Sequence, residues 1–214
     1  VELVTEENEL ILDFFAGSGT TAQGVISASL GDSYPRRWIL VQLPEPILEG
    51  VPSQESAVKW CKKLSLPPFI SELTRERIKR LSNLPPKGST VDTGFRFFKL
   101  APSNFAVWDA NAIEGDQAKL EQQLFAQVEH VLPGRTDQDI LFELMLKSRY
   151  ELTTPVELVK VGKCEVWKVA GGEFVAIVNE GLTIDVIREV ASWKPLSVVI
   201  LDRCFGADDS LKAN

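Results

Sequence analysis

The stretch that most constrains this chain runs from Leu10 to Val25, Leu-Ile-Leu-Asp-Phe-Phe-Ala-Gly-Ser-Gly-Thr-Thr-Ala-Gln-Gly-Val. Leu10 to Phe14 reads as a short buried strand, Ala16 to Gly19 as a turn of small residues, and a helix is expected to open at Thr20 or Thr21. Glycine at such a turn lets main chain come close to a ligand because no Cβ intervenes. The first amides of the following helix lack partners within it and face the same spot. Three nucleotide-cradling chemistries share this geometry. A P-loop requires lysine after its last glycine, where this chain has Thr20. Gly17, Gly19 and Ala22 satisfy the GxGxxA form of a dinucleotide fingerprint. The third chemistry is S-adenosylmethionine, with its methionine end over the turn and its ribose held at the end of the second strand. Spacing excludes the first and leaves the other two open.

The wider string separates them. Asp13-Phe14-Phe15-Ala16-Gly17-Ser18-Gly19-Thr20-Thr21-Ala22 resembles, nearly letter for letter, the cofactor motif of amino-group DNA methyltransferases of the β arrangement. The run from Arg36 through Trp38 and Gln42 to Pro46 is similar to the second strand of the modification (Mod) subunits of type III restriction-modification systems. Thr74 to Arg80, Gly94 to Leu100, Ser103-Asn104-Phe105, Trp108-Asp109, Leu152 to Glu157 and Leu201 to Asn214 resemble further stretches of that family, so the likeness extends over essentially the whole chain.

The resemblance implies a partial Rossmann-like α/β sheet of an S-adenosylmethionine-dependent methyltransferase, followed by a smaller α+β or α/β C-terminal module. It implies methyl transfer from S-adenosylmethionine to adenine N6 in duplex DNA, in a bacterial host. The cofactor-binding residues it carries over are Asp13, Phe14, Phe15, Ala16, Gly17, Ser18, Gly19, Thr20 and Thr21. Most such enzymes hold the ribose with Asp or Glu at the end of the second strand. Here Gln42 stands at the aligned position and Glu45 follows, so both are ribose candidates. Glutamine offers one acceptor oxygen and one donor group.

The family's catalytic tetrapeptide, Asp-Pro-Pro-Tyr or a near variant, binds the amine of a base swung out of the duplex, and in this arrangement it precedes the glycine turn. It is absent from this sequence. Leu66-Pro67-Pro68-Phe69 is the nearest string, but leucine has no acceptor and the string lies downstream, so it reads as a proline-stiffened loop. No residue is assigned a catalytic role. The missing tetrapeptide, the lack of an initiating methionine and the short lead before Leu10 give the expectation of a C-terminal part of a longer enzyme, inactive alone.

Composition narrows the partners. With 214 residues, 44% hydrophobic and 25% charged, the chain suits one or two globular domains. No apolar run approaches the roughly 20 residues that span a bilayer, and no signal peptide is evident, so a cytoplasmic location is expected. Cys61, Cys164 and Cys204 show no CxxC spacing, which argues against a disulfide framework or a metal site. A net charge of -7 opposes tight binding to a polyanion. Duplex DNA is therefore expected as a partner of the intact enzyme and weakly or not at all for this chain. The family also implies a homodimer and a restriction-subunit partner.

Along the chain, Thr20 to Leu30 is expected as a helix burying Ala22, Val25, Ile26 and Ser29, and Trp38 to Leu43 as a second strand parallel to the first. Ser56 to Leu64 is amphipathic, with Lys59, Lys62 and Lys63 on a solvated face. Ile70 to Leu84 is a helix opened by Ser71 or Thr74. Its Arg75, Arg77, Lys79 and Arg80 pair with Glu72 and Glu76, or else with DNA phosphates. Phe95 to Leu100 is expected as the next strand of the same sheet, Phe105 and Trp108 as caps on a hydrophobic edge, and Gln117 to Val131 as a helix. Residues 1–132 are assigned to the cofactor-binding part and 133–214 to the C-terminal module. There Thr136 to Asp139 is a capping box ahead of a face of Ile140, Leu141, Leu144 and Met145. Gly171-Gly172 joins a hairpin, Ile184 to Trp193 is a helix, and Leu196 to Leu201 a buried strand. His130 and the trio Asp202, Asp208 and Asp209 are expected on the surface. Other readings are a β-arranged cytosine-N4 methyltransferase, a non-catalytic dimerisation or docking module, and a nicotinamide enzyme using the GxGxxA pattern.

Overall fold

Strand β1 (Leu10–Asp13), helix α1 (Thr20–Asp32) and strand β2 (Arg37–Leu40) follow one another as expected. The strands pair in parallel, Leu12 opposite Ile39 and Asp13 opposite Leu40. The computed structural model describes residues 8–83, 91–107, 117, 131–206 and 209–213. The chain divides into two compact units, Val1–Lys99 and Leu100–Asn214.

In the first unit, α1 buries Ala22, Val25, Ile26, Ala28 and Ser29, the stripe that its period of 3.6 residues places on one side. It stops at Ser33, whose φ of 64° is left-handed. The Arg36 guanidinium then donates to both Asp32 oxygens, at 2.9 and 2.7 Å, closing the return to β2. The alternation of the strands leaves Ile11, Asp13, Trp38 and Leu40 half-buried while Leu10, Leu12 and Ile39 are exposed. Strand β2 ends at Leu40 rather than Leu43. Past it, Val41 donates to the Asp13 carbonyl and accepts from Ala16, so its hydrogen bonds go to the turn.

Helix α2 (Glu55–Leu64) carries Lys59 and Lys62 in solvent-exposed pairs with Glu55 and Glu49. Helix α3 (Ile70–Leu81) starts after Phe69 with no side-chain cap, so neither Ser71 nor Thr74 opens it. Instead Ile70 donates its amide to the Glu45 carbonyl at 3.0 Å, and Ile47 donates to Pro68 at 2.7 Å. The Leu66–Phe69 loop is thereby tied to the segment after β2. Phe95 to Leu100 forms no strand. Its phenyl ring at Phe95 lies 6.2 Å from Trp38, and Lys99 donates to the buried Glu72 at 2.8 Å. Aromatic and ionic anchoring replaces the expected ladder. Among the described residues the first unit has a two-stranded sheet, β1-β2.

In the second unit, α4 (Asp137–Lys147) opens with the expected capping box: Asp139 N–H donates to Thr136 Oγ1 at 3.2 Å, and Thr136 N–H donates to Asp139 Oδ2 at 2.9 Å. Strands β3 (Val156–Val161), β4 (Cys164–Val169), β5 (Phe174–Ile177) and β6 (Ser197–Ile200) form a sheet in that order. The first three run antiparallel; β5 and β6 are parallel, joined through α5 (Ile184–Ser192). Alternation along β5 sends Phe174 and Ala176 toward Ile140, Leu141 and Met145 of α4, and Val175 and Ile177 toward Val186 and Val190 of α5. The unit is thus a mixed sheet between helices, an α/β module. Strand β3 was not anticipated. Strand β6 is an exposed edge rather than a buried strand, with Leu196 82% exposed just before it.

The segment from Leu100 packs with this second unit, ahead of the boundary expected after residue 132. Asn104 explains it: its amide donates to Glu143 Oε2 at 2.6 Å and its side chain to the Asp139 carbonyl at 2.9 Å. Phe105 packs on the core formed with α4. Trp108, His130, Asp208 and all but the ends of the expected 117–131 helix lie outside the described residues. Asp202 pairs with Lys212 on the surface, and α6 (Asp209–Ala213) follows.

Candidate functional site

The site is built at the carboxyl end of β1. Asp13, the last residue of the strand, accepts from the Phe15 amide at 2.9 Å and from the Thr21 hydroxyl at 2.6 Å. Those two bonds, Thr21 first, hold its carboxyl below the ordinary carboxylate range. Asp13 staples strand, turn and helix together. Between them, Gly19 N–H donates to the Ala16 carbonyl at 2.7 Å, and both glycines are left-handed, Gly17 with φ +52° and Gly19 with φ +81°.

The two glycines serve different ends. A Cβ built on Gly17 would meet nothing nearer than the Phe15 carbonyl oxygen at 3.8 Å. One built on Gly19 would stand 3.1 Å from Thr74 Cγ2 and 3.6 Å from Ile78 Cγ1. An added Cβ is therefore crowded by nothing at Gly17, while Gly19 is bare so that α3 can close against the turn.

Three side chains distant in sequence fix the turn. Gln42 Oε1 accepts from the Gly17 amide at 2.7 Å, and its Nε2 donates to the Leu43 carbonyl at 3.0 Å. The Thr74 hydroxyl lies 2.5 Å from the Gly17 carbonyl and 2.9 Å from that of Ile70. Arg77 donates to Ser18 Oγ at 3.0 Å. The sequence points to Gln42 here as a ribose candidate, but reads Thr74 as a helix opener and Arg77 as an ion-pair or DNA-phosphate residue, and gives no sign of their contacts with the turn. Glu45 is exposed, with its backbone anchored by Ile70.

The rest of the predicted set surrounds the opening. Phe14 and Phe15 are exposed, the latter 90%, and Ala16 is buried beneath them. Thr20 begins α1, which has no side-chain N-cap and no acidic residue in its first turn, so its leading amides remain suited to an anionic group. In α3, Arg75 pairs with Glu72 at 3.3 Å and Arg80 with Glu76 at 2.8 Å, the intrahelical pairing expected of them. Among the described residues no His, Cys, Asp and Glu group could hold a metal, the three cysteines are free and buried, and no helix is long and apolar enough to cross a membrane.

No family model matches the chain. It is 29% identical over 153 residues to the type III restriction-modification enzyme EcoP15I Mod subunit of Escherichia coli, an alignment covering 72% of this chain and 20% of that protein. It is 29% identical over 106 residues to the StyLTI Mod subunit of Salmonella typhimurium, covering 47% of this chain and 15% of that one. The chain spans about one fifth of the length of the first of these relatives.

Proposed function

We propose that this chain is the cofactor-binding part, with an adjoining C-terminal module, of a DNA methyltransferase of a type III restriction-modification system. Its cofactor is S-adenosylmethionine and its target adenine N6 in duplex DNA. The observation that carries the reading is the uncrowded, left-handed Gly17 at the carboxyl end of a parallel strand, inside a string from Asp13 to Ala22 that resembles the cofactor motif of that family. The similarity to two Mod subunits supports it.

In this reading the methionine end of the cofactor lies against Gly17, with the amides of Thr20 and Thr21 toward its carboxylate and Phe14, Phe15 and Ala16 beside it. Asp13, Ser18, Gly19 and Thr21 keep the turn in shape. Glu45 takes the ribose hydroxyls, because the Gln42 acceptor already serves Gly17. The cofactor supplies the activated methyl; this chain's residues bind and orient it. No Asp-Pro-Pro-Tyr-type tetrapeptide is present, so the chain alone is proposed to bind cofactor without transferring the methyl group. A cytoplasmic location, pairing of two copies and a restriction-subunit partner belong to the same proposal for the intact protein.

Calorimetry with S-adenosylmethionine, its demethylated product and NAD tests it. Binding of the first two without NAD is expected, and a preference for NAD would overturn the reading. Glu45→Ala should weaken binding about tenfold or more with an unchanged melting temperature, as loss of a charge-assisted hydrogen-bond pair implies. Equal binding by that variant would remove Glu45 from the site.

A further inference from the structure

A second feature of the first unit borders the glycine turn. Residues of helices α1, α2 and α3 line an open cleft of about 350 Å³, near the lower end of the roughly 300–1,000 Å³ range of small-molecule sites. Leu64, Leu73, Leu81 and Trp60 line it, and its charged groups are Arg77, Arg80 and Glu76. Ser18 of the glycine turn also lines it, while Asp13, Gly17, Gln42 and Glu45 do not.

The two arginines differ. Arg80 is balanced by Glu76 at 2.8 Å and lies 5.5 Å from the Trp60 ring. Arg77 donates to the neutral hydroxyl of Ser18, and among the described residues no carboxylate pairs with it. Trp60 is 48% exposed and has Lys63 at 5.5 Å from its ring on the same helix. Lysine and arginine outnumber acids on both α2 and α3, against the -7 of the whole chain. A half-exposed indole that lines one cavity with three leucines and with a guanidinium that no carboxylate among the described residues balances matches a flat aromatic ring that carries a phosphate.

We propose that this cavity is a nucleotide site, with the base against Trp60 and the phosphate at Arg77. The nucleotide is either free or one unit of a single strand, and the same chemistry recognises both. Because Arg77 also holds Ser18, an occupant that draws the guanidinium to its phosphate acts on the glycine turn as well.

The test follows the indole N–H resonance of Trp60, assigned by Trp60→Phe, in the full 214-residue chain. It is titrated with adenosine monophosphate, a single-stranded 12-mer, the corresponding duplex and an acidic aromatic peptide. Nucleotide or strand should shift that resonance. Measured by calorimetry, since neither variant keeps the indole, Trp60→Ala should weaken binding about tenfold, the scale of one base–aromatic stack, while Trp60→Phe stays close to the parent. Arg77→Gln should reduce the slope of log affinity against log salt for the strand by about 0.7, and Arg77→Lys should keep it. Affinity for the strand at least tenfold above the mononucleotide identifies a strand as the source; equal affinities identify the free nucleotide. A silent indole with every nucleotide, affinities indifferent to Trp60→Ala and Arg77→Gln, or a response to the peptide or duplex alone would each overturn the proposal.

Discussion

Gly17 and Gly19 are both left-handed, yet a methyl group on each meets different surroundings, and this sets their expected costs apart. Gly17→Ala should lose about 1–2 kcal/mol from the backbone alone, since the added methyl meets only the Phe15 carbonyl, at an ordinary 3.8 Å. Gly19→Ala carries that cost and also pushes Thr74 and Ile78 outward, so it should unfold the first unit at lower urea than Gly17→Ala. The substitutions should also separate in calorimetry: Gly17→Val should abolish cofactor binding, whereas any binding retained by Gly19→Ala falls with stability. Gln42→Ala should cost about 1 kcal/mol by freeing the Gly17 amide. Which residues lie at this turn was legible in the sequence, because strand, small-residue turn and helix are local patterns. How they are held was not. The Gln42 and Thr74 contacts to Gly17 span 25 and 57 positions, and no periodicity carries such information.

Elements with local signatures were found where their residues placed them. Helix α4 follows from Thr136 and Asp139 plus the spacing of Ile140, Leu141, Leu144 and Met145, all buried. Thr136→Ala should therefore cost about 1 kcal/mol of second-unit stability, measured by urea unfolding. Elements whose identity depends on a distant partner were misread. Phe95 to Leu100 alternates like a strand, but it is anchored by contacts that include a ring against Trp38 and an ion pair to Glu72, and it forms no strand. Val156 to Val161 earned no assignment from its own residues, and becomes a strand through its register with Cys164 to Val169. Thr74, polar and one turn into α3, looked like a cap; its hydroxyl points instead to the glycine turn.

At the scale of the molecule, each unit has its own core and its own acid-sensitive carboxylate. Asp32 is drawn down from 3.8 to about 2 by Arg36 and the Tyr34 amide. Burial would raise Glu143, but hydrogen bonds from Ser103 and the Asn104 amide, with Lys147, bring it from 4.5 to about 2. Both pKa values are lower folded than unfolded, so their stabilisation is complete above about pH 5 and is lost as pH falls toward 2. Unfolding free energy should drop across that window, and Glu143→Gln should lower second-unit stability at neutral pH while flattening its acid limb. Leu141→Ala, at 0% exposure, should cost about 2–5 kcal/mol in that unit and leave cofactor affinity unchanged. The clasp of Thr74 on Gly17 has a thermodynamic corollary. A pocket assembled by residues 57 positions apart does not exist in the denatured ensemble, so whatever seats there acts as a folding ligand. At a hundred times its dissociation constant it adds about 2.7 kcal/mol to the native state, making the melting point a gauge of occupancy.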